Sequence, residues 1–369
     1  MILTGSSLRA RVEILCGRTA GGFGKVPAGL RRFREFLVLL AVRYHDSVSL
    51  LGRLSILGAG APPPGTPLEE LLRRSRDERT YPIVCRNLGI PCETERSVFA
   101  RQSMARHQAE EILLRVEALP LKGLHLAHRV YPAPSLRDMG DLDLLVRRSR
   151  LRDADDALRR LGYVPAQDPE RLDGGSLHAV EYHREDSMPV HLHWHVLNGS
   201  LPNYMVRIDL DELWRESRDG ALAPPHLLVT LCEHALKHSF SALILLTDIE
   251  LVSRGIDWEA VADVSRRWGL DAAVFYSLVL LRDLMDLRSP GLDHFRDLDP
   301  DWAGQAFLAL LRRRRWDGLS ALGLLSLTRE KARFVREAFA PSRSEGMRTR
   351  TVMGRLRRAA GRVVGGLTS

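Results

Sequence analysis

Ser135-Leu-Arg-Asp-Met-Gly-Asp-Leu-Asp-Leu-Leu-Val146 decides how the rest of this 369-residue chain is read. Asp141-Leu-Asp143 runs straight into Leu144, Leu145 and Val146, which predicts the start of a buried strand. Residues two apart on a strand share a face, so both carboxylates project side by side. Paired carboxylates next to apolar residues repel each other and lose hydration, and a cation between them relieves both costs. Oxygen ligands of this kind suit Mg²⁺, with Mn²⁺ as the alternative, and Mg²⁺ in turn suits phosphate chemistry. On its own an Asp-x-Asp also reads as a solvated turn before a strand. The sequence on either side weighs against that.

Upstream, Leu119-Pro-Leu-Lys-Gly-Leu-His-Leu-Ala-His128 is a short apolar run that ends in Lys122-Gly123 and continues with helical spacing. Glycine at a strand-to-helix turn lets the backbone approach a phosphate, and the N-terminus of the following helix favours anions. Lys122 also stands out by composition, because only Lys25, Lys122, Lys237 and Lys331 are lysines among 54 basic residues. A compact ammonium in an arginine-rich chain points to selection for a point charge at that turn.

The ordered set Leu121-Lys-Gly123, Tyr131-Pro132, Arg137, Asp141-Leu-Asp-Leu-Leu-Val146, Leu161-Gly-Tyr163 and Val190-His-Leu-His-Trp194 resembles the uncharacterised nucleotidyltransferase family of the DNA polymerase β-like superfamily. The resemblance spans roughly residues 100 to 260, and the combination is more specific than any one piece. It implies an α+β fold, a nucleotidyltransferase mixed-sheet core flanked by N- and C-terminal helical regions. The activity it implies is metal-dependent transfer of a nucleotidyl group from an NTP to an unidentified hydroxyl-type acceptor, a small molecule or a peptide. Asp141 and Asp143 would be the metal-binding catalytic carboxylates, with Mg²⁺ as the cofactor and Mn²⁺ as the alternative. Lys122, Gly123, Ser135 and Arg137 would hold the nucleotide. The family usually has a third acidic residue where this chain has His191. Imidazole removes one negative charge and prefers softer cations. The alternative is therefore a catalytically decayed member that binds a nucleotide or a protein partner, and Glu181 is a candidate substitute for the missing carboxylate.

His191, His193 and His195 alternate, so they face one side of a strand and could hold zinc. His193 also reads as a structural histidine of that strand. His234 and His238 share a helical face at i, i+4 spacing, which suits packing near the cleft.

A formal charge of +8 invites a nucleic-acid reading, yet seven arginines and one glutamate after Pro341 carry +6 of it, leaving +2 for the rest. Such a distribution attracts polyanions without reading sequence. The tail could instead contact an acidic partner or an anionic membrane surface. Scattered Cys16, Cys85, Cys92 and Cys232, and the lack of a signal-peptide pattern, fit a reduced cytoplasmic protein. Phe36-Leu-Val-Leu-Leu-Ala-Val42 is too short to span a membrane.

The chain divides into an N-terminal helical region (1–112), the core (113–215), a C-terminal helical region (216–340) and a basic tail (341–369). Helices are expected over 31–51, from Thr66 as N-cap, over 97–119, over 149–161, from Pro225 and after Asp257. A hairpin with a four-residue loop is expected at Glu185-Asp-Ser-Met188.

Overall fold

The computed structural model describes residues 50–60, 62–167, 178–197, 206–238, 240–298 and Leu308. The apolar run 36–42, most of the helix expected over 31–51 and the basic tail lie outside them.

Among the described residues a five-stranded mixed sheet forms the centre, in the order β1-β2-β5-β4-β3. Its strands are β1 (Ala118–Pro120), β2 (Leu142–Val146), β3 (Val164–Pro165), β4 (Ala179–His183) and β5 (Val190–His193). Only β2 and β5 run parallel. Period-two alternation splits β2 between two cores. Leu142, Leu144 and Val146 join Val190, Leu192, Val180 and Tyr182 on one face, and Leu145 points to the other.

The first face packs on α3 (Glu95–Leu113) through Ala105, Ala109 and Ile112, and on α5 (Leu151–Arg160) through Ala154 and Leu158. Small residues at helical spacing let both helices lie close to the strands. Earlier in the chain stand α1 (Leu68–Asp77) and α2 (Tyr81–Leu88), and between β1 and β2 lies α4 (Lys122–Arg129).

The second face meets the larger core, which the C-terminal helices dominate. These are α6 (Leu210–Glu216), α7 (Pro224–Lys237), α8 (Leu243–Ser253), α9 (Trp258–Trp268) and α10 (Asp271–Met285). Helix α7 is the hub, packing on α8, α9 and α10. Residues 50–54 are helical and dock on the same group. A Cβ on Gly52 would fall 1.8 Å from the Leu284 carbonyl oxygen, so only glycine permits that approach.

Several boundaries differ from expectation for local reasons. Thr66 Oγ donates to the Pro63 carbonyl instead of capping, and the first helix begins at Leu68. Helix α3 starts earlier and stops at Leu113, and Ala118–Pro120 pairs with β2 as a strand. A 3-10 turn at Arg148–Arg150 precedes α5. The connection between β4 and β5 is six residues, 184–189. Asp257 does cap α9, accepting from the Glu259 and Ala260 amides. No helix among the described residues is long and apolar enough to cross a membrane.

Candidate active site

The amide of Leu121 donates to the Asp143 carbonyl at 2.9 Å, which fixes the start of α4 against the middle of β2. Lys122 follows directly, and its Nζ reaches Asp143 Oδ1 at 3.1 Å. Its φ is +45°, a left-handed conformation that costs a lysine energy and recurs at functional sites.

Strand register builds the rest of the site. Asp143 on β2 lies opposite His191 on β5, and His191 opposite Glu181 on β4. Three ionisable side chains thus stand in one row across adjacent strands. His191 Nδ1 is 3.3 Å from Asp141 Oδ2 and 3.8 Å from Asp143 Oδ1, while its Nε2 is 3.6 Å from Glu181 Oε1. His193, one step along the same face, places Nε2 at 2.7 Å from Asp143 Oδ1. The second ring nitrogen of His193 is buried without a hydrogen-bond partner. His195 does not join the row. Its Nδ1 accepts from the Leu197 amide and its ring stacks 4.8 Å from that of His178.

Electrostatics single out Asp143. Burial works to raise its pKa, but the Lys122 charge and the His193 hydrogen bond outweigh burial and hold the carboxyl well below the usual carboxylate range. Burial pushes the His193 imidazole downward, opposed by that same hydrogen bond. Helix α7 brings two more groups within electrostatic reach of Lys122. Burial, followed by the charges of Lys122 and His238, holds the half-buried His234 imidazole well below its ordinary range. Burial pushes the Glu233 carboxyl up to about 7, with Lys237 and Lys122 opposing the rise only in part.

The other expected nucleotide residues have protein partners. Gly123 is buried, and a Cβ there would sit 3.1 Å from Met139 Cβ and Sδ, so the missing side chain makes room for Met139. Ser135 is buried in a 3-10 turn, with Oγ 3.5 Å from Glu95 Oε1. Arg137 is buried, with Nε and Nη2 on Asp248 at 2.8 Å and Nη1 on the Asp138 carbonyl. All three guanidinium nitrogens have protein partners. Asp248 on α8 also accepts from Tyr131 Oη at 2.7 Å.

A cavity of about 780 Å³ opens at the far end of β2 and β5, lined by Arg147, Trp194, His195, Arg207 and Trp214 among others. It lies beside the Asp143 row, not around it. Arg147 stacks over the Trp214 ring at 4.6 Å.

Sequence reasoning missed Glu233 and the direct His193–Asp143 contact. Glu233 carried a readable signal, a glutamate at an apolar phase of an otherwise hydrophobic helix.

A family model described as an uncharacterised nucleotidyltransferase matches residues 66–286, more than half of the chain. No curated protein and no solved structure matches it.

Proposed function

This chain belongs to the uncharacterised nucleotidyltransferase family, and from that premise we propose that it moves a nucleotidyl group from an NTP to a hydroxyl-type acceptor. The observation that carries the reading is the meeting of Lys122 with Asp143 at a strand-to-helix turn, 3.1 Å apart. The donor set suits a divalent cation, since ligand atoms of Asp143, His191 and His193 lie within 4.8 Å of one another. Asp141 and Asp143 would hold Mg²⁺, or Mn²⁺ as the alternative, which supplies charge neutralisation and Lewis acidity to the donor's phosphates.

The chain's own groups then do the positioning. Lys122 exchanges Asp143 for phosphate oxygens, and the uncapped first turn of α4 adds backbone N–H donors beside it. His191 keeps Asp141 and Glu181 within ion-pair distance and so fixes the outer wall of the site. Helix α7 adds His234 and Glu233 within electrostatic reach of Lys122. The cavity at Arg147, Trp194 and Trp214 offers room for the acceptor.

A second reading, a fold that binds a nucleotide or partner without turnover, has one observation in its favour. Lys122 already answers the charge of Asp143, His193 hydrogen-bonds to the same oxygen, and His191 stands where a third carboxylate is expected. Thermal stabilisation by each NTP with Mg²⁺ or Mn²⁺ tests the site. Metal-dependent stabilisation by one NTP, lost in Asp141→Asn, is the expected result. Stabilisation by none, or equal stabilisation in Asp141→Asn, overturns the proposal. His191→Asp separates the two readings, because turnover that rises identifies a decayed site.

A further inference from the structure

We propose that the cavity at the far end of β2 and β5 binds a ring-bearing anion, a planar molecule that carries a phosphate or carboxylate group, and that the acceptor belongs to this class. The acceptor role rests on the nucleotidyl-transfer reading; the binding chemistry does not.

Charge comes first. Arg147, Arg148 and Arg207 line the cavity together with Asp209 and Asp211. Asp209 is taken up in capping α6, its Oδ1 accepting from the Glu212 amide at 2.9 Å. The Asp211 side chain is 92 % exposed, and its Oδ1 stands 4.0 Å from Arg147 Nη1, too far for a hydrogen bond. Arg207 is exposed, and among the described residues its guanidinium makes no hydrogen bond or ion pair. Two guanidinium groups thus face the cavity with donors to offer, and their planar forks match phosphate and carboxylate oxygens in pairs.

The walls are flat. Arg147 lies over the Trp214 ring at 4.6 Å, which holds its charge on a half-buried indole. His178 and His195 stack at 4.8 Å, and Leu197 fixes both rings. Its amide donates to His195 Nδ1 at 3.0 Å, and its carbonyl accepts from His178 Nδ1 at 3.1 Å. Those contacts leave Nε2 as a donor in neutral His195 and as an acceptor in neutral His178. Burial lowers the pKa of both, to about 4 for His195, so the imidazoles stay uncharged and the arginines carry the positive charge of the lining. Trp194 adds a buried indole, edge-on to His178 at 6.5 Å. Planes gathered in this way receive a ring, and the arginines receive the charge attached to it.

Position sets the length of the molecule. Arg147 is four residues beyond Asp143, so at strand rise it stands roughly 13 Å farther along the same face. An acceptor anchored here needs its reacting hydroxyl about that far from its anionic group. A cavity of about 780 Å³ holds a ring together with such an extension.

The test is calorimetric titration of the full-length protein, in chelator and without nucleotide, with naphthyl phosphate, naphthoate, naphthol and inorganic phosphate. We expect one of the two naphthyl anions to bind at least about tenfold tighter than naphthol and than phosphate alone. Whichever anion is preferred identifies phosphate or carboxylate as the acceptor's group. Arg147→Ala and Arg207→Ala should each weaken binding about tenfold, and Trp214→Leu should do so to a similar degree. Arg73→Ala, an exposed charge on α1, should leave it unchanged. Arg207 is exposed, so its variant carries the test if Trp214→Leu fails to fold. No binding by either anion, equal binding by naphthol, or unchanged affinity in a folded Arg207→Ala overturns the proposal. Asp141→Asn should keep the anion site, and loss of anion binding in that variant would place the probe at the donor site and overturn the proposal as well. NTP binding measured in parallel keeps the readings apart. Anion binding without any NTP binding sinks nucleotidyl transfer and leaves the cavity's chemistry standing, and NTP binding without anion binding does the reverse.

Discussion

Asp143 and Asp248 are both buried aspartates with a basic side chain against them, at 6 % and 2 % exposure. Their surroundings differ in how completely they answer the charge. Asp248 accepts from Arg137 through Nε and Nη2 and from Tyr131 Oη, so its lone pairs point at fixed donors. That closed set joins the turn before β2 to α8, 111 residues later in the chain. Burial works against the Arg137 charge, and Asp248 more than offsets it, raising the guanidinium pKa above its ordinary value. Asp143 has its contacts concentrated on one oxygen, from a lysine that is 23 % exposed and a histidine with an unpartnered second nitrogen. The first aspartate is saturated and structural. The second has both contacts on one oxygen, and one of them comes from a partly exposed lysine.

The widest gap between them should appear on amide substitution. Asp248→Asn leaves the buried Arg137 charge uncompensated and should cost about 3–5 kcal/mol of stability. Asp143→Asn leaves a lysine that can turn to solvent and should cost only about 1–2 kcal/mol, while abolishing metal-dependent nucleotide binding. Urea unfolding of both variants checks this, and equal losses would break the distinction. Restoration of nucleotide binding to Asp143→Asn by higher metal concentration would sharpen it.

Glu233 extends the contrast to an acid whose burial is not answered at all well. Its folded pKa of about 7 lies above the ordinary 4.5. A raised carboxyl contributes stability that is fully present below about pH 4.5 and is lost as pH rises through 7. Glu233→Gln imitates the protonated form at every pH. At about 1.4 kcal/mol per pKa unit, the variant should exceed the wild type by up to roughly 3 kcal/mol above pH 7, with no difference near pH 4. Unfolding curves at pH 4, 6 and 8 measure the gap. A gap that does not change with pH would place the Glu233 carboxyl on an ordinary footing and remove it from the strained side of the comparison.

Local signals made much of this legible. The run from Leu142 to Val146 alternates between two cores, so the leucines announce a doubly buried strand and the aspartates announce the face that is different. Asp257 caps its helix because an Asx cap needs nothing beyond three residues. What depended on distant pairing stayed hidden. Arg137 looked available for phosphate because Asp248 lies 111 residues away, and nothing near Arg137 declares that partner. Glu181 stood as a candidate substitute for the missing carboxylate, but what brings it to His191 is strand register, which a one-residue slip would reverse. His193 read first as a structural histidine and second as a zinc ligand, and its contact with Asp143 depends on β2 and β5 lying side by side.

Lys122 offers the smallest effect and the most direct check on why the open aspartate is open. Its φ of +45° is a conformation that glycine adopts freely and other residues adopt at a cost. Stability alone would therefore favour glycine at this turn. Replacing the lysine with alanine keeps the strain and removes the charge, whereas replacing it with glycine removes both. Lys122→Gly should be more stable than Lys122→Ala by about 1 kcal/mol, and both should lose nucleotide binding to the same degree. If the glycine variant were no more stable than alanine, the turn would carry no strain and the lysine could be there for packing. If it were more stable and still bound nucleotide, the charge would be dispensable. Only stability gained together with binding lost means that a strained lysine is kept for the ammonium it delivers to Asp143 and, in its place, to phosphate.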